Sequence, residues 1–135
     1  MAYILAIIAI GQSCQLGLKG AMPWEGNKDR AYVADVARFF DLTRGHVVIA
    51  GPTTISAFPE YAYEYRTNVE IRSIHHPEEV FGWFPDRVVY VGGGPVVWDI
   101  YAPFIRHWDI NRLPYDGEAD RWFDPAWLVA TAEGA

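Results

Sequence analysis

Eight consecutive residues near the start, Tyr3 to Ile10, are apolar or β-prone with no polar interruption. Such a run suits a strand buried on both faces, as in parallel sheets. Gly11 to Trp24 follows with three glycines and a proline, and predicts a loop long enough to serve a function. From Asp29 to Thr43 the residues Tyr32, Val36, Phe39, Phe40 and Thr43 recur at helical spacing, with Gly45 just past the end. His46 to Ala50 predicts a second strand, and Gly51-Pro52 opens a short helix, since proline suits a first helical position. Arg66 to Ser73 predicts a third strand and Pro77 to Phe84 a short helix. Arg87 to Val91 predicts a fourth strand that runs into Gly92-Gly93-Gly94. Pro95 to Tyr101 makes a further helix and His107 to Leu113 a last strand. No repeat or linker divides the chain, so residues 1–135 are expected to form one domain. Strands alternating with helices predict an α/β fold, a mostly parallel central sheet flanked by helices. Ligands of such sheets bind beyond the carboxyl ends of the strands.

Composition narrows the class. The chain is 51% apolar and 16% aromatic, which excludes a disordered or fibrous protein. Its net charge of −6 opposes a nucleic-acid surface, which needs a dense basic footprint. Gly11 and Gln12 stop the first apolar run short of a membrane span. That run also lacks the basic flank and cleavage site of a secretory signal. Cys14 is the only cysteine, so no internal disulfide forms and the cytoplasm is the expected location. His75 and His76 would point to opposite faces of an extended chain and lack partner ligands, so no metal is expected.

The chemistry gathers where strands end. The first strand leads to Leu16-Gly17-Leu18 and Met22-Pro23-Trp24, the second to Gly51-Pro52-Thr53-Thr54, and the fourth to the triple glycine. Glycines between a strand and a helix let the backbone approach a phosphate. Between the first two strands, Asp35 shares a helix face with Tyr32 and Phe39. A carboxylate on an apolar face is costly unless paired, and a cleft acid of that kind is a site candidate.

The pieces Leu16-Gly17-x-x-x-Ala21-Met22-Pro23-Trp24, Asp35-Val36-Ala37-x-Phe39, Thr43-x-Gly45-His46-x-Val48-Ile49-x-Gly51 and Val91-Gly92-Gly93-Gly94 resemble the dihydrofolate reductase family, in the family's order. Ala119-Asp120-x-x-Phe123 is a fainter echo, and the resemblance spans most of residues 3–125. It implies reduction of 7,8-dihydrofolate to 5,6,7,8-tetrahydrofolate by hydride from NADPH, with the hard chemistry left to the cofactor. It places Met22 and Trp24 in a mobile loop over the nicotinamide and pterin, and makes Asp35 the acid that orients the pterin and favours its protonation. Substrate contacts are implied at Leu5, Ala6, Val36, Phe39, Phe58, Arg66, Val91 and Asn111. Among these, Leu5 and Val91 act through backbone carbonyls, and Arg66 clamps the substrate's glutamate. Asn111 stands where relatives bond the acid through a threonine. Cofactor contacts are implied at Ala9, Leu16, Gly17, Gly51, Thr53, Thr54, Gly92, Gly93, Gly94 and Val96, with Arg72 and Ser73 for the 2′-phosphate. In relatives a cis bond joins the first two of the three glycines. Antifolates such as methotrexate would also bind.

Several features depart from the family. Extra residues between Trp24 and Asp35 make Asp29 a rival acid. Six helical residues rotate by about 240°, so both cannot face one cleft. Asp35 has the better flanking register, and Asp29 suits the helix start. Pro52 and Pro95 stand where relatives carry basic residues, which leaves NADH open as the cofactor. Relatives continue past Trp127-Leu128-Val129 through a C-terminal antiparallel hairpin, and here that hairpin is truncated. The missing hairpin would expose a sheet edge and invite self-association across it. Two other functions fit less well: another pyrimidine or pterin reductase on this fold, of the riboflavin-pathway type, and a non-catalytic binding protein that retains the fold.

Overall fold

The computed structural model describes residues 2–72 and 75–134. In chain order the elements are β1 (Tyr3–Ile10), β2 (Gln15–Gly17), α1 (Arg30–Thr43), β3 (Val47–Ala50), α2 (Pro52–Ser56), β4 (Thr67–Glu70), α3 (Pro77–Gly82), β5 (Val88–Val91), α4 (Pro95–Tyr101), β6 (His107–Arg112), β7 (Arg121–Trp122) and α5 (Ala126–Gly134). Short 3₁₀ turns occupy Glu60–Tyr63 and Ala102–Phe104. Five strands pair in the order β4-β3-β5-β1-β6, every pair parallel, as the alternation of strands and helices predicts. β1 lies between β5 and β6, and its apolar run answers to burial. Ile4, Ala6, Ile8 and Ile10 join Val47, Ile49, Val89 and Val91 in a core closed by Trp98, Tyr101 and Trp127. No helix among the described residues is long and apolar enough to cross a membrane.

α1 begins after Asp29 and is closed by Gly45 at φ +80°, a left-handed value that costs a residue without Cβ little. Its last residue, Thr43, has no solvent exposure. The Thr43 hydroxyl donates to the Phe39 carbonyl at 2.9 Å and accepts from Arg66 Nε at 3.1 Å, so a buried polar group is satisfied on both sides.

Three stretches differ from the sequence expectation. Residues 11–24 are not loop throughout, because β2 lies within them and pairs antiparallel with β7. Three residues carry no detectable period, and their partner is distant in sequence. β4 spans Thr67–Glu70 rather than Arg66 to Ser73, with Arg66 turned back towards α1 and Ser73 outside the described residues. After β7 the chain forms α5, for which the sequence expectation had no element. Its start had a signal in Asp124-Pro125: Asp124 Oδ1 accepts the Ala126 N–H at 2.9 Å, and proline is preset for a first helical turn. Its first five residues are all apolar and gave no helical period.

α5 is fixed by rings. Trp127 stacks on Trp108 of β6 at 6.1 Å, meets Trp98 at 5.6 Å and Phe123 at 5.1 Å, and donates its indole N–H to Asp99 at 2.5 Å. Thr131 accepts the Trp108 indole N–H at 2.9 Å and donates to the Ala102 carbonyl at 2.7 Å. Among the described residues β6 pairs only with β1. Truncating a buried tryptophan costs about 3–5 kcal/mol. Trp127→Ala should therefore lower the urea midpoint by that free energy at an unchanged m-value. A loss under about 1 kcal/mol, as for a surface position, would show that α5 is not part of the core.

Candidate active site

Asp35 is half-buried on the face of α1 turned towards β6, where its Oδ1 accepts the Asn111 side-chain N–H at 2.8 Å. Burial raises the Asp35 pKa above the usual carboxylate value, while the Asn111 hydrogen bond and the Arg38 charge pull it down and Asp109 pushes it up. The rival acid, Asp29, is exposed at the N-cap position, its backbone N–H held by Asn27 Oδ1. Of the two acids, the geometry turns only Asp35 to the sheet.

The implied substrate residues lie on β1, α1, β5, β6 and the stretch between α2 and β4. Leu5 and Ala6 lie on β1 opposite Tyr90 and Val91 of β5, and Ala9 lies opposite Asn111. Trp24 is buried, stacked on Tyr32 of α1 at 6.1 Å and tilted against Tyr115 at 5.7 Å. Met22 is 39% exposed at the rim of an open cleft of about 360 Å³, which Trp24, Lys28, Val36 and Tyr61 also line. Phe39 meets Phe58 edge-on at 5.7 Å, which brings α1 and the segment after α2 together as an aromatic wall. The Val91 carbonyl accepts the Trp98 indole N–H at 3.3 Å. Arg66 donates to Thr43, to the Ala62 carbonyl and to the Phe40 carbonyl, so two of its five N–H groups remain for a ligand.

The residues assigned to a cofactor meet at two helix starts. Gly51 caps α2 and Gly94 caps α4, and the Gly51 N–H donates to the Gly93 carbonyl at 2.8 Å. Thr53 and Thr54 stand in the first turn of α2. Gly93 has φ +99°, and a Cβ there would lie 2.7 Å from the Trp98 ring, so only glycine fits. Beside Gly94 the space is open. Such a bare turn facing two helix N-termini fits the diphosphate of a nicotinamide nucleotide. The cis bond falls between Gly93 and Gly94, one bond later than the resemblance implies. Leu16 and Gly17 lie on β2, and Val96 is 69% exposed on α4. Arg72 is exposed and paired with Glu70, so the acid already engages the cation offered to a 2′-phosphate.

In fold the chain is similar to a solved dihydrofolate reductase from Enterococcus faecalis complexed with NADP(H) and RAB-propyl. The TM-score is 0.73 at 21% identity, over 90% of this chain and 77% of that one. The dihydrofolate reductase fold is thereby shown. In sequence it is 59% identical over 129 residues to the dihydromethanopterin reductase of Methylorubrum extorquens, with 96% of each chain covered. The chain belongs to the dihydromethanopterin reductase family. No general protein-family model matches it. The motif resemblance thus holds for the fold, and the specific assignment to dihydrofolate reductase gives way to this family.

For a member of this family, sequence reasoning missed two neighbours of the acid and one of Trp24. Tyr115 packs on Trp24, and Arg38 of α1 donates to Asp109 of β6 at 2.5 Å beside Asp35. Arg38 is three residues from Asp35 and Asp109 two from Asn111, so helix and strand periods could have flagged the pair.

Two outcomes follow from this geometry. A carboxyl whose folded pKa is raised contributes stability below its unfolded pKa and loses it as pH rises through the folded value. Asp35→Asn keeps an acceptor for Asn111 and removes the buried charge. The ligand-free variant should melt at or above wild type near pH ~8, with the gap closing towards pH ~4; lower melting at both would contradict the burial argument. Gly93→Ala should leave the protein folded by circular dichroism but weaken nicotinamide-nucleotide binding in titration calorimetry. Unchanged binding would remove the turn from the cofactor site.

Proposed function

We propose that this chain reduces a dihydropterin, of the dihydromethanopterin type, with hydride from a nicotinamide nucleotide. The observation that carries the reading is the half-buried Asp35 carboxyl, held by Asn111 near the carboxyl end of β6. A pterin presents an amino group and a ring N–H side by side, and one carboxylate can accept both. Asn111 occupies a single lone-pair position on Oδ1, so Asp35 keeps acceptors for that pair. Its raised proton affinity also suits a group that favours protonation of the bound ring, through water. The 59% identical relative, named for dihydromethanopterin, supports that substrate over dihydrofolate.

The remaining residues position and dry the site. Trp24 closes the floor between α1 and Tyr115, while Phe39 and Phe58 wall the ring and the start of its tail. The residues that would hold the cofactor are Gly51, Thr53, Thr54 and Gly92 to Gly94 at the starts of α2 and α4, with Ala9, Leu16 and Gly17 near the nicotinamide. When bound, that nucleotide supplies the hydride, and the protein supplies alignment. NADPH is the first choice and NADH a second, favoured by the Arg72–Glu70 pair and by Pro52 and Pro95.

The test is oxidation of NADPH and of NADH, followed by absorbance, with dihydromethanopterin and with dihydrofolate. Dihydromethanopterin should be preferred by about tenfold or more in kcat/KM. Asp35→Asn should lose on the order of 100-fold at neutral pH or more, and Asp29→Asn should stay near wild type. No oxidation with either pterin by the folded protein would overturn the reading.

A further inference from the structure

Asp35 and Asn111 form one rung of a short ladder between α1 and β6. A second rung lies beside it, where Arg38 Nη2 donates to Asp109 Oδ2 at 2.5 Å. Residues three apart share a helix face, and residues two apart share a strand face, so the rungs are forced into register. The Arg38 and Asp109 side chains are 41% and 28% exposed, so both charges are partly withdrawn from water. At such sites a neighbouring charge is felt more strongly than in bulk solvent. Nothing in the proposed chemistry consumes either charge.

We propose that the Arg38–Asp109 pair is a positioning device for the pterin acid: it holds α1 on β6 and, through its two opposed charges, sets how readily Asp35 takes up a proton. The inference rests on the reading of Asp35 as that acid. The charged and titratable groups on this side come from every packed element. Arg38 of α1 favours the Asp35 carboxylate, and Asp109 of β6 opposes it. Tyr90 of β5 is kept protonated by burial and by Asp109, and His46, ahead of β3, meets its ring at 5.9 Å. The two charges act on Asp35 in opposite directions, so removing one leaves the other unopposed.

The experiment titrates the Asp35 carboxyl carbon by NMR in the ligand-free protein, for wild type, Arg38→Met, Asp109→Asn and the double variant. It is paired with the pH profile of kcat/KM for the dihydropterin. Without Arg38 the Asp35 titration should move to higher pH. Without Asp109 it should move to lower pH, and the double variant should return towards wild type. Added salt should compress both single shifts. A purely structural role would move both single variants the same way or neither, and either result overturns the proposal. The two readings fail separately. If Asp35→Asn turns over like wild type, the functional reading of the acid falls, and the proposal falls with it. If Asp35→Asn is inactive while both single variants titrate like wild type, only the ladder falls.

Discussion

A carboxylate half out of water must be paired or it costs the fold more than it returns, and much of this site is arranged around that requirement at Asp35. Its hydrogen bond to Asn111 joins the second turn of α1 to the carboxyl end of β6, the edge strand beside β1. One turn further on, Arg38 and Asp109 repeat the crossing with full charges. Helix and edge strand are therefore tied by two polar rungs, not by packing alone. The Trp24 loop is seated on the same junction through Tyr32, Leu113 and Tyr115.

The other half of the site depends on the absence of side chains. β3 and β5 end side by side, and the Gly51 N–H to Gly93 carbonyl bond locks their turns together at the starts of α2 and α4. Because Gly93 lies against the Trp98 ring, the turn is held firmly from beneath while Gly94 stays open above. A rigid, bare turn is what a bound diphosphate needs. The acid and the turn thus sit at opposite ends of one row of strand termini, with β1 between them.

Stability is supplied on the far face of the sheet. Trp98, Trp108, Phe123 and Trp127 bind α5 to β6 and α4, and Thr131 takes up the polar ends of that contact. α5 packs on one face of β6, which among the described residues pairs only with β1.

By itself the sequence determined the parallel sheet, the order of its main elements and which of two acids lies on the inward face of α1. Local patterns sufficed there: an eight-residue apolar run for β1, a helical period for α1, and glycines directly after strands. Asp35 was separable from Asp29 because helix rotation is a local property. Tertiary structure alone decided the rest. The β2–β7 pairing, the ring cluster under α5 and the Arg38–Asp109 rung each join segments far apart in sequence, and no local period records such a meeting. Arg66 shows the same limit from the other side. The family resemblance implied a clamp for the substrate's glutamate, yet three of the Arg66 N–H groups are spent on Thr43, Ala62 and Phe40, because the turn after α2 folds back onto the end of α1. Residue type shows which hydrogen bonds a side chain can make, and only the assembled fold decides which partners come within reach.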